Sequence, residues 1–151
     1  MRFATIAAAL ALTAGLGVVG PPATAARAGA TPNRCAEKFG DDFKILDSHF
    51  VRNVKKPHKV FGVAYLTYNH QTGANCAWTE KVIDRGERSF TKVELCNTAT
   101  GECVGEASRF KIYAGPAQVV ARAQCVRLSA RINGPKGAYG LFTSESYHCG
   151  A

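Results

Sequence analysis

Six cysteines, an even number, are the feature that most restricts how this chain can fold. They are Cys35, Cys76, Cys96, Cys103, Cys125 and Cys149, in a chain of 151 residues. An even cysteine count in a short exported chain indicates a disulfide framework, and six cysteines allow 15 pairings. Neither C-x-x-C nor H-x-x-x-H spacing occurs to support a metal site instead. We therefore predict three disulfides and no bound metal.

The spacing of the cysteines favours one pair over the others. Cys96 and Cys103 flank the polar, glycine-containing stretch 97–102 between two strand-like runs, so they are placed to face each other across a hairpin. Among the other four, pairing Cys35 with Cys76 and Cys125 with Cys149 would hold both ends of the domain. The sequence by itself leaves the remaining connectivities open.

The N-terminus has the composition of a secretory signal peptide. One positive charge at Arg2 precedes residues 4–26, which carry no charged side chain and run into Gly20-Pro21-Pro22. We predict that residues 1–28 are removed on secretion. A retained membrane anchor is the rival interpretation, but a run that is interrupted by glycines and ended by two prolines fits it poorly.

The remaining residues, 29–151, are predicted to form a single domain with no membrane span. Loss of Arg2 and Arg27 with the signal lowers the formal charge of the chain from +8 to +6. The signal also contains Gly15 to Gly20, which match the dinucleotide motif G-x-G-x-x-G, but prolines follow where that motif needs a helix. No cofactor is predicted.

Apolar and polar residues alternate along most of the predicted domain, which indicates an all-β fold with almost no helical periodicity. In the segment 89–96, for example, Val93 and Leu95 fall on one side and Lys92 and Glu94 on the other. Strand-like segments separated by turn signals cover residues 43–51, 60–68, 76–83, 89–96, 109–113, 117–132 and 138–149. About seven short strands at this spacing predict a β-sandwich or a small barrel.

Within the segment 117–132 the alternation changes phase. Up to Cys125 the apolar residues occupy odd positions, whereas Val126, Leu128 and Ile132 occupy even positions. One extra residue reverses the face of every later side chain, so we predict a bulge or corner near Cys125.

The densest positive charge lies between the first two predicted strands. Arg52, Lys55, Lys56, His58 and Lys59 fall within eight positions. Clustered cations raise the local potential and steer association, so this loop is our candidate contact for an anionic partner. The alternative is a loop whose charges serve only solubility.

No catalytic residue is predicted. Asp47-Ser48-His49 contains the residue types of a hydrolase triad, but neighbours on one strand point to alternate faces and a triad is assembled from separated elements. A secreted ribonuclease that uses His70 and His148 is the main enzymatic alternative, because a basic chain with histidines could hold a phosphate and transfer protons. A protease inhibitor also suits the size and the disulfides.

Several short strings, taken in order, are similar to those of the spore-associated protein A family of small secreted actinobacterial proteins. They are Lys44–His49, Leu66–Asn69, Asn75-Cys76, Tyr113–Pro116 and His148–Gly150. Two departures from that pattern are a longer, more basic stretch at 51–59 and the Cys96/Cys103 pair. The resemblance implies a β-rich, disulfide-bonded secreted protein associated with cell or spore surfaces, and it brings no catalytic residue.

Export, disulfides and the lack of a catalytic constellation together favour a secreted, non-enzymatic interaction protein at the cell or spore surface. Its expected partner is a protein or a cell-envelope component, with nucleic acid a lesser candidate. The alternative is an adaptor subunit of an extracellular multiprotein toxin assembly, in which the segment Gly29–Arg34 would add a strand to a partner.

Overall fold

The structure is a computed structural model that describes residues 31–149, and the predicted signal peptide lies outside this range. Its elements are one helix, α1 (Arg34–Phe39), and eight strands: β1 (Phe43–Asn53), β2 (Val60–Asn69), β3 (Ala74–Lys81), β4 (Ser89–Asn97), β5 (Cys103–Phe110), β6 (Tyr113–Val120), β7 (Val126–Asn133) and β8 (Tyr139–Thr143). A short 3₁₀ turn, Pro135–Gly137, precedes β8. The all-β prediction is confirmed, with eight strands in this range where about seven were expected.

Two predicted segments differ from the observed strands: 109–113 falls on the turn between β5 and β6, and 117–132 holds the end of β6 and most of β7. Rather than one strand with a bulge, the structure has the end of β6 at Val120 and the start of β7 at Val126. Between them the chain turns, with Ala123 at a φ of +54°. The change of phase near Cys125 therefore marks a corner between two strands.

All strand pairs are antiparallel, in the order β5-β4-β7-β8-β1-β2-β3-β6. The sheet curls into a nearly closed barrel, and its two outer strands approach each other where Glu106 Oε2 accepts a hydrogen bond from Gly115 N–H at 2.9 Å. The junction of β1 and β8 is short, because only Arg52 and Asn53 pair there, with Leu141 and Gly140. This junction brings the β7–β8 turn beside the β1–β2 loop.

The barrel interior is packed with aliphatic side chains. Val51, Leu66, Leu95, Leu128 and Ile132 are all fully buried. They come from four different strands, β1, β2, β4 and β7, because alternate residues of each strand face inward. Burying each such side chain stabilises the fold by about 1.5–3 kcal/mol.

A second, smaller cluster lies outside the barrel under α1. The helix begins after Asn33, whose Oδ1 accepts a hydrogen bond from Ala36 N–H at 3.0 Å. It covers the outer face of β3, where Trp78 is fully buried and stacks on Tyr65 at a centroid distance of 4.6 Å. Every residue of β3 is buried as a result.

Three disulfides join the described residues: Cys35–Cys76, Cys96–Cys103 and Cys125–Cys149. These are the pairs that the sequence analysis favoured. The first fixes α1 to β3, the second joins facing residues of β4 and β5, and the third ties the C-terminal segment to the start of β7.

Candidate functional site

A surface cleft of about 400 Å³ lies between two chain turns at one end of the barrel. One wall is the loop 54–59, which joins β1 to β2, and the other is the turn 134–138, which joins β7 to β8. We call this feature the basic cleft. Its lining residues are Asn53, Val54, Lys55, Lys56, Lys59, Phe61, Pro135, Lys136, Gly137, Ala138 and Tyr139.

The first wall is held in place by the buried side chain of Asn53. Its Oδ1 accepts hydrogen bonds from the backbone N–H groups of Lys55 at 2.9 Å and Lys56 at 2.8 Å. The backbone N–H of Asn53 donates to Lys59 O at 2.9 Å, which closes the loop. Asparagine at the end of a strand forms such turns because its side chain imitates a backbone acceptor. The lysines therefore project from a backbone that is already ordered.

The second wall contains a lysine in an unusual backbone conformation. Lys136 has φ 54° and ψ 34°, in the left-handed region, and Gly137 follows with φ 73°. A non-glycine residue there costs of order 1–3 kcal/mol, and the conformation persists only where its surroundings impose it. The surroundings are hydrogen bonds from Gly134 N–H to Ala138 O at 2.8 Å and from Ala138 N–H to Pro135 O at 3.1 Å.

Positive charge dominates the basic cleft. Four lysines, Lys55, Lys56, Lys59 and Lys136, are among its lining residues, and no lining residue is a carboxylate. The two aromatic residues of the lining are Phe61 and Tyr139. Lys59 Nζ lies 5.8 Å from the centroid of the Phe61 ring. This arrangement of cations without counter-charges attracts anions.

Arginine side chains brace the cleft from outside its lining. The Arg131 guanidinium lies 4.7 Å from the centroid of the Tyr139 ring, and its Nε donates to Asn133 Oδ1 at 2.9 Å. Arg52 Nη1 donates to Pro57 O at 3.1 Å, and its guanidinium lies 5.0 Å from the Phe50 ring centroid. Both guanidinium groups thus contact neighbours within the chain.

The structure divides the residues of the sequence-predicted contact into two groups. Lys55, Lys56 and Lys59 line the basic cleft, whereas Arg52 and His58 do not. Lys136 is not among the residues predicted from the sequence, although it belongs to the Asn133–Gly137 stretch, whose Asn, Gly and Pro residues signal a turn. That signal predicts a turn, but it does not indicate that this turn lies beside the β1–β2 loop in the folded protein.

A second polar cluster lies where β1 and β8 diverge, and joins Asp47 to two histidines. His49 Nε2 is 3.0 Å from Asp47 Oδ2, outside the directional geometry of a hydrogen bond, and His148 Nε2 is 4.0 Å from the same oxygen. The His49 ring also stacks on Phe142 at 4.3 Å between centroids. Burial, and secondarily the nearby Asp47, raises the pKa of Tyr147 well above its usual range.

This second cluster contains no assembled triad. Ser48 contributes its backbone N–H to Asp47 Oδ1 at 2.7 Å, and among the described residues no serine or threonine hydroxyl is hydrogen-bonded to a histidine. His148 is grouped with Asp47 and His49, whereas His70 sits in the β2–β3 turn against the edge of Tyr68. The histidine pair of the ribonuclease alternative is thus distributed over two places.

Two further features can be stated for residues 31–149. No group of three or more His, Cys, Asp or Glu side chains in this range is placed to hold a metal ion. None of the helices described there has the length and apolar character needed to cross a bilayer.

The segment Gly29–Arg34, which the adaptor alternative uses as a donated strand, is only partly described. Within it, Arg34 is the first residue of α1, and Asn33 caps that helix and also donates from Nδ2 to Phe43 O at 2.8 Å. The Arg34 guanidinium stacks over the Tyr113 ring, 4.4 Å from the ring centroid. Asn33 and Arg34 are therefore engaged within the domain.

The fold and the site define a small all-β barrel protein with three disulfides and a lysine-lined surface cleft. The chain is 35% identical over 150 residues to Spore-associated protein A of Streptomyces coelicolor (strain ATCC BAA-471 / A3(2) / M145), a match that covers 98% of this chain and 87% of that protein. The chain therefore belongs to the spore-associated protein A family, which confirms the resemblance seen in its short strings.

Two other comparisons give no match. No protein-family model matches the chain. No solved structure matches it.

Proposed function

We propose that this protein is a secreted, non-enzymatic binding protein of the cell or spore surface, and that the basic cleft engages an anionic envelope component. The name of the Streptomyces relative and the three disulfides support an extracellular or surface location, because disulfides persist in oxidising compartments. The predicted signal peptide is consistent with this location.

The observation that carries the proposal is the unbalanced charge of the basic cleft. Four lysine residues line a concave space of about 400 Å³, and no carboxylate residue is in its lining. Surface lysines that serve only solubility are usually dispersed among acidic groups, as Lys92 is beside Glu94 at 3.0 Å. Like charges held together repel, and an anion that enters the cleft relieves this repulsion.

Two properties support a binding role rather than a catalytic one. All described cysteines are in disulfides, so none is available as a nucleophile. Among the described residues, no serine or threonine hydroxyl is hydrogen-bonded to His49 or His148. A binding role needs only the ordered cleft.

The test is binding of the purified secreted protein to isolated spores and cell envelopes at a series of salt concentrations. Charge reversal of the cleft, K55E/K56E/K59E, should abolish most binding and flatten its salt dependence, because fewer ion pairs then form. A matched variant, K38E/K44E/K111E, reverses three exposed lysines outside the cleft and should retain most binding. If the cleft variant keeps the wild-type salt dependence, the loop lysines are solvated charges and the proposal is wrong.

A further inference from the structure

The number of charges in the basic cleft, compared with its size, restricts the chemistry of its ligand. Four lysines, with a total formal charge of +4, line a space of about 400 Å³. A carboxylate brings one negative charge, so several separate carboxylate groups would have to fit. A phosphate monoester carries about −1.5 to −2 at neutral pH, and linked phosphates place several charges in one compact group.

The type of cation is compatible with a phosphate ligand. The arginine fork matches carboxylate and phosphate alike, and a lysine ammonium is a point charge that commonly binds phosphate. The two arginines beside the cleft, Arg52 and Arg131, are not among its lining residues. The cationic side chains of the lining are therefore all lysines.

The backbone of Lys136 supplies a separate observation. Its left-handed conformation is one that asparagine or glycine adopts more easily. The lysine side chain of this strained residue is the one cation that the second wall contributes to the cleft lining. A type I′ turn requires a positive φ at both central residues, here Lys136 and Gly137, so the conformation belongs to the turn. The presence of a lysine there, where asparagine or glycine fits the backbone better, suggests a role for its charge in binding.

We propose that the basic cleft binds a diphosphate or longer oligophosphate group. This inference rests on the proposed function and specifies its ligand class. Such a group occurs both in free inorganic polyphosphate and in diphosphates esterified to a sugar or lipid.

The probes are inorganic tripolyphosphate and citrate, titrated calorimetrically into the full secreted protein at matched ionic strength. Tripolyphosphate should bind at least about tenfold more tightly than citrate, and its affinity should fall steeply as salt is added. Comparable affinities for the two probes would overturn the phosphate inference. A third probe, a nucleoside diphosphate sugar, is an esterified diphosphate and identifies the source. If it binds weakly while tripolyphosphate binds strongly, the ligand is free polyphosphate. If it binds as tightly as tripolyphosphate, the ligand is an ester.

Lys136→Asn is the sharpest variant, because asparagine tolerates the left-handed backbone while the charge is lost. We expect tripolyphosphate affinity to fall about fivefold or more with a melting temperature equal to or above that of the wild type. Lys111→Asn, at an exposed lysine outside the cleft, is the control and should bind as the wild type does. Unchanged affinity in the Lys136 variant would contradict the inference.

The outcomes separate this inference from the proposed function. If K55E/K56E/K59E loses binding to envelopes but tripolyphosphate binds no better than citrate, the phosphate inference fails and the proposed function stands. If neither probe binds and the cleft variants bind envelopes normally, both fail.

Discussion

A single buried lysine organises one end of the barrel. Lys81 is fully buried at the end of β3, and its Nζ donates to Asp84 O at 3.0 Å and to Glu87 O at 2.7 Å. A buried charge without partners would be costly, and here backbone carbonyls provide them. Burial nevertheless lowers the pKa of Lys81, although Asp84 and Glu87 act in the opposite direction.

This lowered pKa predicts a pH dependence of stability with a definite sign. Between the lowered pKa of Lys81 in the folded state and about 10.4 in the unfolded chain, the unfolded chain binds more protons, so this group makes stability rise with pH. Lys81→Met should lose about 1–2 kcal/mol near neutral pH, because the two carbonyls lose their donor. As the pH rises towards 10.4, the free energy of unfolding should increase less for the Lys81→Met variant than for the wild type.

Urea denaturation at several pH values measures both effects. Lys111→Met replaces an exposed lysine and should leave the pH profile unchanged. If stability varied with pH in parallel for the wild type and the Lys81 variant, Lys81 would not have the lowered pKa that its burial gives it.

At the scale of elements, one local device recurs at three of the hairpin turns. Asn53, Asn69 and Asn97 each end a strand, and each Oδ1 accepts hydrogen bonds from the backbone N–H groups two and three residues later. All three asparagines are buried. The turns are therefore encoded locally, by an asparagine that follows an alternating strand.

Only the first of these turns forms a wall of the basic cleft, and this allows a matched comparison. Asn53→Ala should destabilise the protein by about 1–3 kcal/mol, because two backbone N–H groups lose their acceptor. It should also weaken tripolyphosphate binding, because the loop lysines are no longer held. Asn69→Ala removes the same device from the β2–β3 turn and should cost similar stability without changing anion affinity.

Denaturant unfolding and calorimetric titration of the two variants provide the measurements. Equal loss of anion affinity in both would mean that global stability, and not the local order of the loop, controls binding.

The short helix shows where sequence patterns have too little signal. Six residues give less than two turns, too few for a helical period to appear against the surrounding alternation. Its boundary residues did carry a signal, with Asn33 as a capping residue and Gly40 after the end at a φ of +109°. The helix forms because Cys35 and the outer face of β3 hold it in place.

At the scale of the whole molecule, the disulfides differ in how much chain they constrain. The residues joined are separated by 41 positions for Cys35–Cys76, 24 for Cys125–Cys149 and 7 for Cys96–Cys103. In the chain-entropy model a bridge stabilises more when its loop is longer. The bridge that fixes α1 should therefore contribute most.

Replacing each pair by serines tests this order. The chain-entropy model gives losses of stability of roughly 4 kcal/mol for Cys35–Cys76, roughly 3.5 kcal/mol for Cys125–Cys149 and roughly 2.5 kcal/mol for Cys96–Cys103. Thermal and denaturant unfolding of the three variants gives the ranking. The largest loss for the Cys96–Cys103 variant would show that strain or packing, rather than loop length, dominates.

The sequence by itself determined the local structure of this protein. Alternation along segments such as 89–96 and 126–132 defines strands with one apolar face, and the asparagine turns end them, because both depend on residues close together in the chain. The all-β class and the family followed from such patterns.

The basic cleft was decided only by the tertiary structure. The β7–β8 hairpin lies beside β1 because Arg52 and Asn53 pair with Leu141 and Gly140, and this pairing sets Lys136 opposite the lysines of the β1–β2 loop. Pairing between strands distant in sequence depends on how complementary side chains fill a shared core, which no local pattern records. For the same physical reason His148 lies beside Asp47, although almost the whole domain separates them along the chain.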